Sequence, residues 1–368
     1  MRALQMISLA VLLVAGLAAG AAAGTYPELD LNTRSVHTAS GPQGEKIASP
    51  SDFSLTAEEI KKLKDGKFRV AFCYHLQEDQ CNITKLAAAR EKLESWGIEI
   101  VATTNASFVV EQQIADIESV LALKPDVIFT MPIDADALSS VCRKVSESGS
   151  KLVFMEMYAN NLVAGKDYVG TIANDYYGCG VGAAHMLAKG LGYKGNVAMC
   201  FYDANFYSTE QRDIGFKDTI EKYYPDMKIV MEIGFNNQND TQAQGDAIFA
   251  RFPDIDGLYT SWDIPMEGLI AAAKSAGIDS VKGGTVDLSD NTARLIAEQK
   301  FIVGTAAPRS LEAGQAEAML AAYALLGKEV PSTYVAVPAQ YVMHDNLLEA
   351  YETIYGIKAP QEIVNLMK

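Results

Sequence analysis

The chain repeats itself, and this internal repeat restricts the fold more than any other feature of the sequence. A Pro-Asp turn, a short apolar run and an Asp just after it occur twice, around Pro125 and Pro253. These prolines lie 128 residues apart (253 − 125), and Gly149 and Gly277 have the same spacing (277 − 149). A spacing kept over a strand and its following helix predicts two similar α/β units. Two such units leave a cleft between them, which suits a protein that closes around a small molecule.

The N-terminus has the composition of an export signal. Arg2 precedes an apolar run at 7–17, and the small residues Ala21-Ala22-Ala23 follow. This order is typical of a signal peptide that is cleaved at an A-x-A site, here near Ala23. About 12 strongly apolar residues are too few to span a bilayer. We therefore expect a signal peptide at 1–23 and an exported, periplasmic protein.

The charge and the cysteine content narrow the possible partners. The formal net charge is −15, which disfavours nucleic acid and anionic membrane surfaces. Five cysteines and four histidines are scattered without the spacing of a zinc site, so we predict no metal and no cofactor. A disulfide between Cys73 and Cys81 is geometrically possible, and small buried thiols are the alternative.

Strands and helices alternate along most of the chain. A polar leader at 24–66 contains one short helix, which a capping box at Thr56 opens. The strict alternation that follows predicts parallel sheets with right-handed crossovers. We expect an α/β fold of two similar doubly wound parallel-sheet lobes, joined by a hinge of several short crossings. The expected lobes are 67–170 with 308–336, and 171–307 with 337–368.

Polar and aromatic side chains at strand ends form the candidate site, because ligands of open α/β sheets bind beyond the carboxyl ends of the strands. Carboxylates and amides can share hydrogen bonds with vicinal hydroxyls, and an arginine donates a rigid fork to oxygens. Trp262, one of two tryptophans, adjoins Asp263 at a strand end and can pack on the apolar side of a sugar ring. The alternatives are interlobe packing for Trp262 and helix capping for Asp263. The candidate ligand-binding residues are His75, Asp79, Glu156, Asn174, Arg212, Trp262, Asp263 and Asp287.

Motifs of catalysis do not stand out. The sequence has no G-x-S-x-G, Walker or H-E-x-x-H motif. The glycines of Gly178-Cys179-Gly180-Val181-Gly182 have the spacing of a dinucleotide loop. No apolar strand precedes them, which favours close helix packing through small residues instead. We expect no enzymatic activity.

Several segments resemble the periplasmic sugar-binding proteins of ABC transporters, of the ribose-binding type (type I periplasmic binding proteins). The run Gln211-Arg212-Asp213-Ile214-Gly215-Phe216 is similar to the Arg-x-x-Gly-Phe helix of that family. The resemblance extends over 67–360. The other segments that carry it are 124–128, 170–175, 262–263 and 285–287.

This resemblance implies roles for individual residues. Arg212 would grip sugar oxygens, Asp263 would bind hydroxyls from the second lobe, and Asn174 would lie at the hinge. Glu156 occupies the place of a ligand-binding Asp in the family. The loop at 75–81 departs from the family pattern, since it lacks the usual Asn-Pro and the paired aromatic residues.

These observations predict an extracytoplasmic solute-binding protein. It would capture a small sugar or related polyhydroxylated ligand in the interlobe cleft and deliver it to the membrane permease of an ABC transporter. The alternative is a sensing subunit that binds an autoinducer-like, polyol or nucleoside ligand and reports to a receptor or kinase. An exported hydrolase would need acid and base carboxylates at working distance. A signal peptide and the lack of an N-terminal helix-turn-helix disfavour a transcriptional regulator.

Overall fold

The computed structural model describes residues 26–77, 80–204 and 206–368. The expected signal peptide lies outside these residues. In chain order, the elements up to the first crossing are β1 (Ile47–Ala48), α1 (Ala57–Gly66), β2 (Arg69–Tyr74), α2 (Gln80–Ser95), β3 (Glu99–Asn105), α3 (Val110–Leu121), β4 (Val127–Thr130), α4 (Ser139–Glu147), β5 (Lys151–Met155) and β6 (Gly170–Asn174).

The remaining elements begin directly after the first crossing. They are α5 (Tyr176–Gly190), β7 (Gly195–Tyr202), α6 (Tyr207–Tyr223), β8 (Met227–Phe235), α7 (Gln242–Arg251), β9 (Gly257–Thr260), α8 (Asp263–Ser275), β10 (Lys282–Val286), α9 (Asp290–Ala297), β11 (Ile302–Pro308), α10 (Ser310–Leu326), β12 (Tyr334–Val337), β13 (Ala339–Met343), α11 (Leu347–Tyr355) and α12 (Gln361–Leu366).

Two mainly parallel sheets form the cores of two lobes. The first sheet has the order β1-β12-β6-β5-β4-β2-β3, and the second has the order β13-β11-β10-β9-β7-β8. All pairs are parallel except β11 with β13. The run β6-β5-β4-β2-β3 of the first sheet matches the run β11-β10-β9-β7-β8 of the second. The predicted fold of two similar lobes is confirmed.

Apolar strands lie at the centre of each lobe. Strands β4 and β9 are buried at every residue, as expected for parallel strands that are covered by helices on both faces. Phe72 and Phe129 stack at 4.4 Å between ring centroids in the first lobe, and Phe216 stacks on Tyr259 at 3.9 Å in the second. Each lobe therefore has its own packed core, and the space between the lobes remains for a site.

The chain passes between the two sheets three times, after β6, after β11 and between β12 and β13. The first crossing follows Asn174. Strand β6 pairs with β5 and β12 in the first sheet, although we expected no apolar strand before the glycine run at 178–182. A run of five residues is too short for its periodicity to separate a strand from a helix start. The exact limits of the lobes stay a prediction.

The leader packs on both lobes. The predicted capping box at the start of α1 is present, since Thr56 and Glu59 exchange backbone–side-chain hydrogen bonds. Strand β1 pairs in parallel with β12 of the first sheet, which the sequence did not indicate. At the other end of the leader, Tyr26 stacks on Tyr193 of the second lobe at 4.2 Å.

Between these ends, the leader bonds to all three crossings. The backbone N–H groups of His37 and Thr38 donate to the Asp175 carboxylate at 2.7 and 2.9 Å. Arg309, which follows β11, donates to the Thr33 carbonyl at 3.0 Å. Gln340, which follows the third crossing, donates to the leader carbonyl of residue 31 at 2.9 Å. One short segment thus contacts every connection of the hinge.

All five cysteines lie within the described part of the chain, and none of them is disulfide-bonded there. Four are buried, among them Cys73, whose pKa is raised by burial to about 12. Among the described helices, none has the length and apolar character to cross a membrane.

Candidate functional site

A cavity of about 350 Å³ lies between the lobes, at the carboxyl ends of the strands. Side chains that follow β2, β5, β9 and β10 line it, together with the last residue of β6 and residues of α2 and α6. Seven of the eight predicted site residues border this one cavity: His75, Glu156, Asn174, Arg212, Trp262, Asp263 and Asp287. The eighth, Asp79, lies outside the described residues.

The cavity continues into a second one of about 630 Å³. Both are bordered by Ser208, Arg212, Trp262 and Asp287. Phe108 of the first lobe and the polar run 236–239 of the second lobe complete the larger space. The two cavities together form an interlobe cleft with room for a small solute.

Glu156 is the centre of a buried hydrogen-bond network in the first lobe. Lys85 Nζ donates to its Oε1 at 2.6 Å, and Asn174 Nδ2 lies 2.9 and 3.0 Å from its two carboxylate oxygens. The Tyr176 hydroxyl donates to Oε2. All four side chains are at least nine-tenths buried. Buried polar groups that satisfy each other in this way hold one defined arrangement.

Electrostatics keep the Lys85–Glu156 pair charged. Burial alone would raise the pKa of Glu156, but the charge and hydrogen bond of Lys85 and the bond from Tyr176 bring it below its ordinary value. Burial would likewise lower the pKa of Lys85, but Glu156 and Glu317 raise it above its ordinary value. Both groups are therefore ionised at neutral pH.

Arg212 is the corresponding cation of the second lobe. Its Nη1 donates to the Asp287 carboxylate and to the Ser261 carbonyl, both at 3.1 Å. Its guanidinium lies 5.7 Å from the ring centre of Tyr176, within cation–π range. Although burial would lower the pKa of Arg212, the Asp287 carboxylate raises it. Its Nε is buried and has no hydrogen-bond partner among the described residues.

Trp262 and Asp263 lie at the start of α8. The indole of Trp262 packs on Tyr202 and Phe235 of its own lobe, at 5.4 and 5.1 Å between ring centroids. Its Nε1 donates to Gln238 at 2.9 Å. Packing from one side holds the indole in place while it borders the cleft.

Asp263 does not serve as an ordinary helix cap. Its Oδ2 accepts hydrogen bonds from the Ser289 backbone N–H at 2.9 Å and from the Thr292 hydroxyl at 3.0 Å. These partners belong to the segment that opens the next helix, α9. The bonds fix the orientation of the carboxylate at the cavity wall.

His75 and Asn174 belong to the ends of two strands, β2 and β6, which are separated by β4 and β5 in the first sheet. His75 directly follows β2, is buried, and lies edge-on to Phe108 at 5.2 Å. Asn174 is the last residue of β6, next to the first crossing, as the family resemblance implies for a hinge residue. Its Oδ1 is buried without a partner among the described residues.

Two site carboxylates adopt strained backbone conformations. The φ angle is +62° at Glu156 and +71° at Asp287, in the left-handed region that side-chain-bearing residues rarely enter. Such strain amounts to about 1–3 kcal/mol and tends to occur at functional sites. The chain accepts it directly after β5 and directly after β10, where each carboxylate meets a buried cation.

Sequence reasoning missed Lys85 and Tyr176, which both line the cavity. Lys85 lies on the buried face of α2 with Asn82, Ala89 and Leu93. A lysine at a helical position otherwise used for packing was the available signal. Tyr176 lies directly after the first crossing, and its sequence position carried no comparable signal.

One implied role is only partly met by the geometry. The resemblance placed Glu156 where the family has a ligand-binding Asp. The carboxylate does border the cavity, but its acceptor sites are occupied by Lys85, Asn174 and Tyr176. A carboxylate has about four lone-pair directions, so the network leaves it little capacity for ligand hydroxyls.

The site as a whole offers fixed donors, fixed acceptors and one aromatic face. Lys85 and Arg212 donate, Asp263 and Asp287 accept, and Trp262 supplies an apolar surface. Within the described residues, no group of three or more His, Cys, Asp or Glu side chains is arranged to hold a metal ion. This set suits a small solute that carries many hydroxyls.

This chain is similar in sequence and in structure to known solute-binding proteins. The profile of a family described as "Periplasmic binding protein domain" matches residues 70–329. A xylitol-binding protein of Mycolicibacterium smegmatis is 26% identical over 248 residues, which cover 67% of this chain and 68% of that protein.

Solved structures give the same fold. An ABC transporter solute-binding protein from Agrobacterium vitis, bound with α-D-tagatopyranose, superposes with a TM-score of 0.67 at 24% identity. The match covers 78% of this chain and 99% of that one. An arabinose-binding protein from Geobacillus stearothermophilus has a TM-score of 0.70 at 22% identity, with 77% and 99% covered.

Proposed function

Because this chain belongs to the periplasmic binding protein family, we propose that it is an extracytoplasmic solute-binding protein of an ABC transporter. It captures a small sugar or polyol between its lobes and presents the closed form to a membrane permease. The observation that carries this proposal is the convergence of seven predicted side chains, Arg212 on α6 and six at or next to strand ends, on one interlobe cavity. The names of the relatives, which include xylitol-binding and arabinose-binding proteins, support the same ligand class.

The geometry supports a simple binding mechanism. Arg212 donates to ligand oxygens, the carboxylates of Asp263 and Asp287 accept from vicinal hydroxyls, and the indole of Trp262 covers the C–H face of the solute. A ligand held by both lobes stabilises the closed form by its differential affinity for that form. The three crossings at Asn174, Pro308 and Val337 define the hinge.

Binding without turnover fits the charges of the cleft. A hydrolase needs a carboxylic acid whose pKa is raised, so that it can donate a proton at neutral pH. The pKa of Glu156 is instead lowered, because Lys85 and Tyr176 outweigh the effect of burial. We also propose that the segment predicted as a signal peptide, 1–23, directs export, so that mature protein begins near Gly24.

The test is direct binding to a panel of xylitol, allitol, D-arabinose, D-tagatose and D-allose. We expect at least one compound to raise the melting temperature and to bind in calorimetry. A shift with amino acids only, or chemical turnover of a bound compound, contradicts the proposal.

Two shape-conserving substitutions test the site. Arg212→Met and Asp263→Asn should each weaken binding of the tightest panel compound about 10- to 100-fold, since each removes a charge-assisted hydrogen bond. Arg251→Ala and Asp254→Ala, both at exposed positions of the same lobe, serve as controls. Unchanged affinity in both site variants means that the cleft assignment is wrong.

A further inference from the structure

Each lobe holds one buried cation, and the two occupy equivalent positions. Lys85 is the sixth residue of α2, and Arg212 is the sixth residue of α6. Helix α2 follows β2 and helix α6 follows β7, and these two strands have matching places in the two sheets. Lys85 is therefore the first-lobe counterpart of Arg212 in the internal repeat.

The carboxylate partners of these cations repeat as well. Glu156 follows β5 and Asp287 follows β10, which are again matching strands. Both residues have a left-handed backbone, with φ of +62° and +71°. Each accepts from the cation of its own lobe, at 2.6 Å from Lys85 and 3.1 Å from Arg212. The duplicated fold thus places the same strained ion pair on both sides of the cleft.

The carboxylate of the first-lobe pair has little hydrogen-bond capacity left for a solute. Glu156 already accepts from Lys85, Asn174 and Tyr176, so it acts on its neighbours more than on a solute. The ammonium of Lys85 has three N–H donors. Within the described residues, its recorded hydrogen bond is the one to Glu156 Oε1. Lys85 is 7% exposed and borders the 350 Å³ cavity.

Buried N–H donors that lack a hydrogen-bond partner raise the free energy of the folded protein. The Lys85 ammonium, which lies beside a polar cavity, therefore needs acceptor oxygens from the molecules that enter the cavity. Water or a solute oxygen can supply them. The cavity is bordered by the cations of Lys85 and Arg212 and by three carboxylates. This near balance of charge favours a neutral solute over an ionic one.

We propose that Lys85 is a ligand-gripping residue of the first lobe, and that Glu156 is a positioning residue which aims its ammonium at the solute. The solute is then held by one cation from each lobe, Lys85 at one end and Arg212 at the other. Its chemical class is a neutral polyhydroxylated compound with acceptor oxygens at both ends. This inference rests on the proposed function and deepens it.

The experiment compares Lys85→Met with the double variant Lys85→Met/Glu156→Gln. The probe is the tightest binder among xylitol, allitol, D-arabinose, D-tagatose and D-allose. The single variant leaves the Glu156 carboxylate buried without its cation, so it can lose affinity through misfolding of the site. The double variant restores the charge balance while an amide still bonds Asn174 and Tyr176. We expect both variants to bind the probe about 10- to 100-fold more weakly.

Monodeoxy analogues of the same probe separate direct contact from a structural role. If Lys85 were only structural, its replacement would not change the effect of removing one particular oxygen of the probe. In the wild type, removal of the oxygen that Lys85 contacts should weaken binding, whereas in the double variant the same removal should have no effect. Removal of any other oxygen that the protein contacts should weaken binding in the wild type and in the double variant alike. Lys92→Met, on the same helix and outside the cavity, is the matched control and should bind as the wild type does.

The outcomes separate the two proposals. Wild-type affinity in the double variant means that Lys85 only neutralises Glu156, and it overturns this inference while the proposed function stands. The inference is also overturned if removal of each single oxygen weakens binding as much in the double variant as in the wild type. Failure of the wild type to bind any compound of the panel overturns the proposed function, and the inference with it.

Discussion

At the scale of single residues, the pKa values of two buried glutamates near Lys85 are shifted in opposite directions. Glu156 lies in direct contact with the ammonium, and its pKa is lowered despite burial. Glu317 of α10 is also buried, and its Oε2 has no partner among the described residues. Burial therefore dominates and raises the pKa of Glu317 to about 8, with Lys85 lowering it and Glu156 raising it. A buried acid near Lys85 is therefore ionised when it bonds the ammonium directly, and closeness to the ammonium alone is not enough.

The raised pKa of Glu317 predicts a pH-dependent stability. A folded-state pKa of about 8 exceeds the ordinary value of 4.5, so the folded protein binds this proton more tightly than the unfolded chain does. The tighter proton binding adds to the free energy of unfolding at low pH, and this stabilisation is lost as the pH rises from about 4.5 to about 8. Glu317→Gln removes this loss, and its melting temperature should exceed that of the wild type by about 2 °C or more at pH 8, and by less at pH 5.

Thermal unfolding at both pH values checks this. Glu329→Gln, at an exposed position soon after the same helix, is the control and should differ little from the wild type. A Glu317→Gln variant that is less stable than the wild type at pH 8 would show that the carboxylate is ionised and needed.

At the scale of elements, the packing of α5 against α6 places Arg212. A Cβ atom at Gly180 of α5 would overlap the backbone carbonyl oxygen of Arg212, and one at Gly215 of α6 would overlap that of Tyr177. Glycines let the two helix backbones approach closely, as the sequence suggested for this glycine-rich run. The close approach brings the guanidinium of Arg212 over the ring of Tyr176.

Gly180→Ala should therefore affect both stability and binding. Overpacking of this kind lowers the free energy of unfolding by about 1–3 kcal/mol. Because the clash is with the Arg212 backbone, the affinity for the tightest panel compound should fall as well. Denaturant unfolding and calorimetry measure the two effects.

The same helix offers a matched control for this substitution. For a Cβ atom at Gly190, near the end of α5, the three nearest atoms all belong to the side chain of Val303. Gly190→Ala should leave the affinity unchanged. Equal losses of affinity in the two variants would mean that α5 does not position Arg212.

At the scale of the whole molecule, the leader contacts both lobes as well as the three crossings of the hinge. Tyr26, Leu29 and Leu31 pack against the core of the second lobe, and Phe53 packs edge-on to Tyr323 of the first lobe at 5.0 Å. The solved relatives match only about 78% of this chain although they are covered almost completely. The family profile begins at residue 70, so the leader lies outside the region that it matches.

Release of the leader from the second lobe should change the balance between open and closed forms. The triple variant Tyr26→Ala/Leu29→Ala/Leu31→Ala removes the apolar contacts and should lower the free energy of unfolding by about 2–3 kcal/mol. The unliganded protein should also have a larger radius of gyration in small-angle scattering, because one restraint on lobe rotation is lost.

Phe53→Ala is the control for the triple variant, since it loosens the leader within the first lobe only. It should lower stability without a change in the radius of gyration. An unchanged radius in the triple variant contradicts a role of the leader in restraining the lobes.

Much of the site could be predicted from the sequence because it lies at strand ends. The order of strands and helices determines which residues follow a strand, and parallel strands bring their carboxyl ends to one edge. His75, Glu156, Trp262 and Asp287 were therefore predictable as neighbours of the cleft from local patterns alone. The duplication added that two such edges face each other.

Local patterns could not supply the partners of these residues. Lys85 meets Glu156 across 71 residues of chain, and Arg212 meets Asp287 across 75. Each contact depends on which face of α2 or α6 lies over which strand end. The leader, which has no periodicity, obtains its structure from the crossings it contacts.

The sequence by itself determined the α/β class, the duplication and the residues at the rim of the cleft, because these follow from local periodicity and chain order. Only the tertiary structure decided that Glu156 is engaged by Lys85, that Tyr176 joins the two ion pairs, and that the leader spans the hinge. These features depend on long-range packing and on the burial of charge. The sequence near Lys85 can mark a lysine on a packing face, but it does not show which carboxylate that lysine will contact.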